Sequence, residues 1–133
     1  PAAGLVNANG LLYGTAKGDG QSGAVYSITP DGTEKTLYTF PISGKNGSNP
    51  IGGVIYFKRA LYGTTSTGGA HNVGTIFSVT TSGEETVIHS FRAGGGEDPQ
   101  AGLISVDGTL YGTTFGDTRF GHQGYGGVFS LEP

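Results

Sequence analysis

LYGT, at Leu12–Thr15, returns at Leu61–Thr64 and at Leu110–Thr113, each time 49 residues on. Pro1, Pro50 and Pro99 keep the same interval. A fixed period of this length marks a repeat architecture, in which one supersecondary unit recurs and stacks on its neighbours. The copies are residues 1–49, 50–98 and 99–133, read as one repeat domain, and the last copy lacks its fourth segment.

Working outward from LYGT, the first copy offers four strand candidates: AGLV (3–6), LLYGTA (11–16), GAVYSIT (23–29) and KTLYTF (35–40). The second offers GGVI (52–55), ALYGTT (60–65), GTIFSVT (74–80) and ETVIHSF (85–91). Each is short, rich in β-branched or aromatic residues and bounded by turn formers. No segment sustains a helical period. The chain therefore reads as all-β, with eleven strands and turns every ~8–12 residues, as in sandwiches, barrels and propellers. Gly14, Gly63 and Gly112, inside the LYGT strands, predict the close approach of another backbone, or else a β-bulge.

Four segments in fixed order, DGTLYGTT (107–114), GTIFSV (74–79), GEETVIHSF (83–91) and PQAGLI (99–104), resemble the GloVer tandem repeat. The likeness covers essentially the whole chain. It implies a bacterial, exported protein, extracellular or at the cell surface, built as a β-propeller. It implies no established activity and brings no functional residues. Few copies and no anchoring tail set this sequence apart from the usual pattern.

A propeller blade is a four-stranded antiparallel sheet packed on both faces, which suits strands apolar on both sides, such as Val25-Tyr26 and Ile76-Phe77. Three blades cannot close a ring, so the ring is expected to be completed by oligomerisation or by a longer chain, through self-association of the open blade edges. Two chains would supply six blades and three would supply about nine. The alternative is a β-trefoil, which closes alone with three four-stranded repeats. The first residue is proline rather than methionine, which suggests that the chain begins after processing or trimming.

Strand parity sorts the connections. The turns NANG, VDG, TPDG and TTSG fall at one end of the sheets and are tight. At the other end lie KGDGQSG (17–23), STGGAHNVG (66–74) and FGDTRFGHQGYGG (115–127), with PISGKNGSNP (41–50) and RAGGGEDP (92–99). Binding groups generally sit on loops held by a rigid scaffold, so this elaborated end is the expected ligand face. Its candidate residues are Asp19, Gln21, His71, Asn72, Asp117, Arg119, Phe120, His122, Gln123 and Tyr125, together with the ring of Phe115. Aromatic rings beside amide, carboxylate and guanidinium groups suit a lectin-like, carbohydrate-binding surface. The absence of Trp, the commonest sugar platform, counts against it, and capping of the blade by these rings is the plain alternative.

Signatures of catalysis are missing from the sequence. There is no Cys, no Gly-x-Ser-x-Gly elbow and no phosphate-binding G-x-x-x-x-G-K-[ST], so an enzyme is not expected, nor a cofactor or a metal. His89 aligns with Tyr38 and reads as filling an aromatic slot in a strand, while Asp31, Glu84 and Glu85 read as solvated turn charges. A net charge of −3 with 7 Lys+Arg argues against nucleic acid. No apolar run of ~18 residues is present, so no membrane span is expected. Glycine makes up 27 of 133 residues, about three times the ordinary share, and serves turns and close packing. Asn46-Gly47-Ser48 is a glycosylation sequon that matters only in a eukaryotic secretory pathway.

Overall fold

The computed structural model describes residues 3–18, 22–42, 44–94, 96–116 and 125–133. They form three separate antiparallel sheets. The first holds β1 (Val6–Ala8), β2 (Leu11–Ala16), β3 (Ala24–Ile28) and β4 (Glu34–Thr39). The second holds β5 (Ile55–Phe57), β6 (Ala60–Thr65), β7 (Thr75–Thr80) and β8 (Glu85–Ser90). The third holds β9 (Ile104–Val106), β10 (Thr109–Thr114) and β11 (Gly127–Leu131). Each sheet is a simple meander in sequence order, so each repeat is one sheet.

The first strand of each repeat differs from expectation. It was placed at 3–6 and 52–55, yet the ladders run over Val6–Ala8 and Ile55–Phe57. The cause lies in the turn that follows. Asn9 and Gly10 both take positive φ (53° and 81°), as do Asp107 and Gly108 (49° and 85°). That is the two-residue hairpin geometry whose twist matches the flanking strands. It pins Ala8 opposite Leu11 and Val106 opposite Thr109, and the register is counted back from there. In the second sheet the same turn is made by Lys58 and Arg59 (φ 45° and 68°), residues that carry no turn signal.

Alternation along β6 and β7 puts apolar side chains on both faces of the second sheet. Leu61, Phe77 and Val79 point back to the first sheet, where they join Val54 with Tyr13, Val25 and Phe40 in one buried cluster. Tyr62 and Ile76 point forward and join Phe91, Leu103 and Leu110 in a second. The two contacts repeat the same device. Phe40 meets Phe77 edge-on with centroids 4.8 Å apart, and their counterparts Phe91 and Phe129 meet at 5.2 Å. Such pairs contribute beyond their buried area.

The LYGT glycines are neither bulges nor backbone contacts. Gly14, Gly63 and Gly112 lie directly opposite Tyr26, Phe77 and Phe129 in the ladder. A Cβ on Gly63 would come within 2.7 Å of the Phe77 ring, and one on Gly14 within 2.7 Å of Tyr26. The glycine is the floor on which the aromatic ring lies. The bulges occur elsewhere, between Val25 and Tyr26 and between Ile76 and Phe77, where the third strand pairs with the fourth. They leave Leu37 and Ile88 outside the ladder, free to pack on the two clusters.

Hydroxyls tie the sheets together as well. Thr15 Oγ1 donates to the carbonyl of Gly52 at 2.9 Å, and Thr64 Oγ1 donates to that of Ala101 at 3.2 Å. These are the same bond one period apart. The final residue of LYGT thus fastens its sheet to the chain entering the next.

Gly63→Ala should test the floor directly. Overpacking against a ring with no exposed surface is expected to cost about 1–3 kcal/mol in a denaturant melt, whereas Gly10→Ala, with open space around it, is limited to turn strain.

Candidate functional site

The long loops lie at one end of the sheets, as parity requires, and among the described residues several of their polar groups bond the loop of the neighbouring repeat. Residues 44–49, which lead out of the first sheet, pair with 66–69 of the second. Ser48 N donates to Thr67 O at 2.8 Å, Thr67 N returns to Ser48 O at 3.2 Å, and Ser66 N donates to Asn49 O at 3.0 Å. The next junction repeats the pattern, with Phe115 N donating to Asp98 O at 3.1 Å and Gly116 N to Glu97 O at 3.2 Å. Asn49 and Asp98 both adopt positive φ (55° and 54°), which turns their carbonyls toward these donors. Side chains add to the stitch. Ser48 and Thr67 hydroxyls lie 2.9 Å apart, and Asn49 Nδ2 donates to Thr67 Oγ1 at 2.9 Å. The loops expected to meet a ligand hold one sheet to the next.

Of the ten candidate residues, Asp19, Gln21, Asp117, Arg119, Phe120, His122 and Gln123 lie outside the described residues. His71 is exposed on the 66–74 loop. Asn72 is exposed too, but its Oδ1 accepts from Gly68 N at 3.1 Å and its φ is 59°, so its amide shapes the loop. Tyr125 is 94% exposed and Phe115 is 67% exposed. Among the described residues no three His, Asp or Glu side chains gather where they could share a metal ion, and no helix is long and apolar enough to cross a membrane. His89 sits opposite Ile76 and packs edge-on against Phe91, as Tyr38 packs against Phe40. It fills the expected aromatic slot.

Two polar features escaped the sequence reading. Glu85, expected as a solvated charge, reaches the first sheet instead. Its Oε2 accepts from Asn46 Nδ2 at 2.7 Å, and Asn46 Nδ2 also reaches the Tyr38 hydroxyl at 3.3 Å. Oε1 is buried without a partner, and burial pushes the carboxyl above the ordinary range, against the hydrogen bonds from Asn46 and Tyr38. The sequon asparagine is thereby committed to an inter-sheet bond. The second feature is Thr114, whose hydroxyl is buried and unpartnered. Its counterpart Thr65 shares a 2.8 Å hydrogen bond with Thr75, and Gly127 stands where Thr75 would be. Asp31 differs from both. It is exposed, and bonds from Thr29 and Thr33 hold its carboxyl below the usual range.

A periodic glycine floor, a periodic threonine tie and a periodic loop stitch define one unit repeated along the chain. The family model described as the Gloeobacter/Verrucomicrobia repeat matches residues 1–133. The chain belongs to that repeat family. The likeness carried by LYGT and its companion segments is therefore membership, and each 49-residue period of the chain corresponds to one antiparallel sheet. No curated protein matches the chain.

The buried carboxyl yields a pH test. A folded-state value above the ordinary one means that the folded chain holds this proton more tightly. The contribution is present in full below the ordinary carboxylate range and is lost as pH rises through the folded value. At neutral pH the ionised Glu85 is a cost, reduced by solvent screening because the group is partly exposed. Glu85→Gln should raise the melting temperature by about 2 °C near pH ~7, with the gain vanishing near pH ~3.5 in calorimetry.

Proposed function

We propose that this chain is a non-enzymatic, propeller-forming scaffold module, exported to the cell surface or the medium. The observation that carries the reading is the identity of the two internal contacts. Each uses the same apolar face, the same edge-on phenylalanine pair and the same threonine tie. A unit that presents one face backward and a different face forward stacks in series. Separate meanders of four, four and three strands, whose first strands lie beside one another, β1 by β5 and β5 by β9, suit blades set round an axis. They favour the propeller over the trefoil. The loops serve the same end, since stitching between neighbours keeps the blades in angular register. Export is proposed from the family likeness alone.

Tandem fusions of two and of three copies test the scaffold. One of them should give a compact, disc-like scattering profile and melt above the single chain. Extended profiles from both would overturn it.

A second reading is favoured by the two exposed rings. Phe115 and Tyr125 stand in solvent at the long-loop end, where a stacking ligand such as a glycan could meet them. Glycan-array binding that falls at least about tenfold in Tyr125→Ala would support it. An array without hits removes it and leaves the scaffold reading standing.

A further inference from the structure

The two outermost faces of the array are halves of a contact already made twice inside it. On the second sheet the forward face carries Ile55, Tyr62, Thr64 and Ile76, against which Leu103 and Leu110 pack. One period later the third sheet offers Ile104, Tyr111, Thr113 and Val128 in the same places. Ile76 is 2% exposed, whereas Val128 is 79% exposed. A shallow hollow of about 270 Å³, bounded by Ile104, Tyr111, Thr113 and Val128, lies over this face. It is the place that Leu103 and Leu110 take over the second sheet.

The complementary half is at the other end. Leu103 and Leu110 correspond to Leu5 and Leu12 on the first sheet, where Tyr26 beside them is already buried, at 7% exposed. Leu103 is 7% exposed and Leu5 is 48% exposed. A polar key accompanies the apolar one. Thr15 and Thr64 donate to the carbonyls of Gly52 and Ala101, and Thr113, the third member of that series, is exposed. One period before Gly52 stands Ala3, whose carbonyl is the matching acceptor. None of these positions carries a charge, so docking strands no ion.

Resting on the scaffold reading above, we propose that copies of this chain dock head to tail. The third sheet of one receives Leu5 and Leu12 of the next, with Thr113 donating to the Ala3 carbonyl. The patches are unlike, so the contact is heterologous and either closes into a ring or runs on. The contact is made by the two faces and the threonine.

Sedimentation of the 133-residue chain over a concentration series tests this. The unaltered chain should reach the mass of two or more copies. Leu5→Asp and Val128→Asp should each sediment as a single chain with unchanged circular dichroism, since both sites face solvent in the isolated chain. Mixed in equal amounts they should form a two-chain species, because each retains the face that the other has lost. Thr113→Val, which keeps the size and removes the donor, should weaken association about tenfold. An unaltered chain that stays monomeric throughout overturns the docking. So does Leu5→Asp that still associates alone, which would mean like faces meeting. Association unmoved by Thr113→Val overturns the register. A compact tandem fusion beside a monomeric free chain would sink the docking while leaving the scaffold reading intact.

Discussion

A sheet that is apolar on both faces cannot be left alone in water, and everything else in this molecule follows from that constraint. Leu61, Phe77 and Val79 look one way from the second sheet while Tyr62 and Ile76 look the other. Burying either set requires a neighbour, and apolar area removed from water is the main favourable term available. With neither disulfides nor helices among the described residues, the contacts between sheets hold the array together. The LYGT glycine makes those contacts geometrically possible. With only a hydrogen at that point, the aromatic ring of the adjacent strand sits over the glycine, and in the second and third sheets it meets a phenylalanine of the preceding repeat.

The polar groups obey the same logic. Backbone groups in loops must find partners if they are buried, and here they find them in the loop of the adjoining repeat. Ser48 with Thr67 and Glu97 with Gly116 are one bond pattern shifted by a period. A loop committed in this way has less to offer a ligand, and Asn72, which accepts from Gly68 of its own loop, braces that loop further. Among the described residues, Phe115, Tyr125 and His71 remain outward. The repeat tolerates drift where the counterpart is not part of a tie. Ala16 with Ala24, Thr65 with Thr75 and Thr114 with Gly127 occupy the same ladder position in the three sheets, yet only the middle pair makes a hydrogen bond there.

Much of this was legible in the residues. The period, the number of strands and the parity of the loops could be read from LYGT, the prolines and the turn formers, because strand and turn chemistry are local. The register of the first strands was not, since it depends on positive φ at Lys58 and Arg59, residues with no intrinsic preference for it. The place of Glu85 was equally hidden. Its partners Asn46 and Tyr38 belong to the preceding repeat and approach only when two sheets pack. Candidate residues in the loops could be named by type alone, and type says nothing about whether a group faces solvent or a neighbouring loop.

By itself, then, the sequence determined that this is a periodic all-β chain whose unit is a short meander, because apolar alternation and turn residues act within about ten positions of one another. The tertiary structure alone decided what each unit does to the next: the ring over the glycine, the threonine reaching a carbonyl 37 residues away, and loops sewn to loops. Those choices are made between segments distant in the chain, where packing geometry rather than local preference selects the partner.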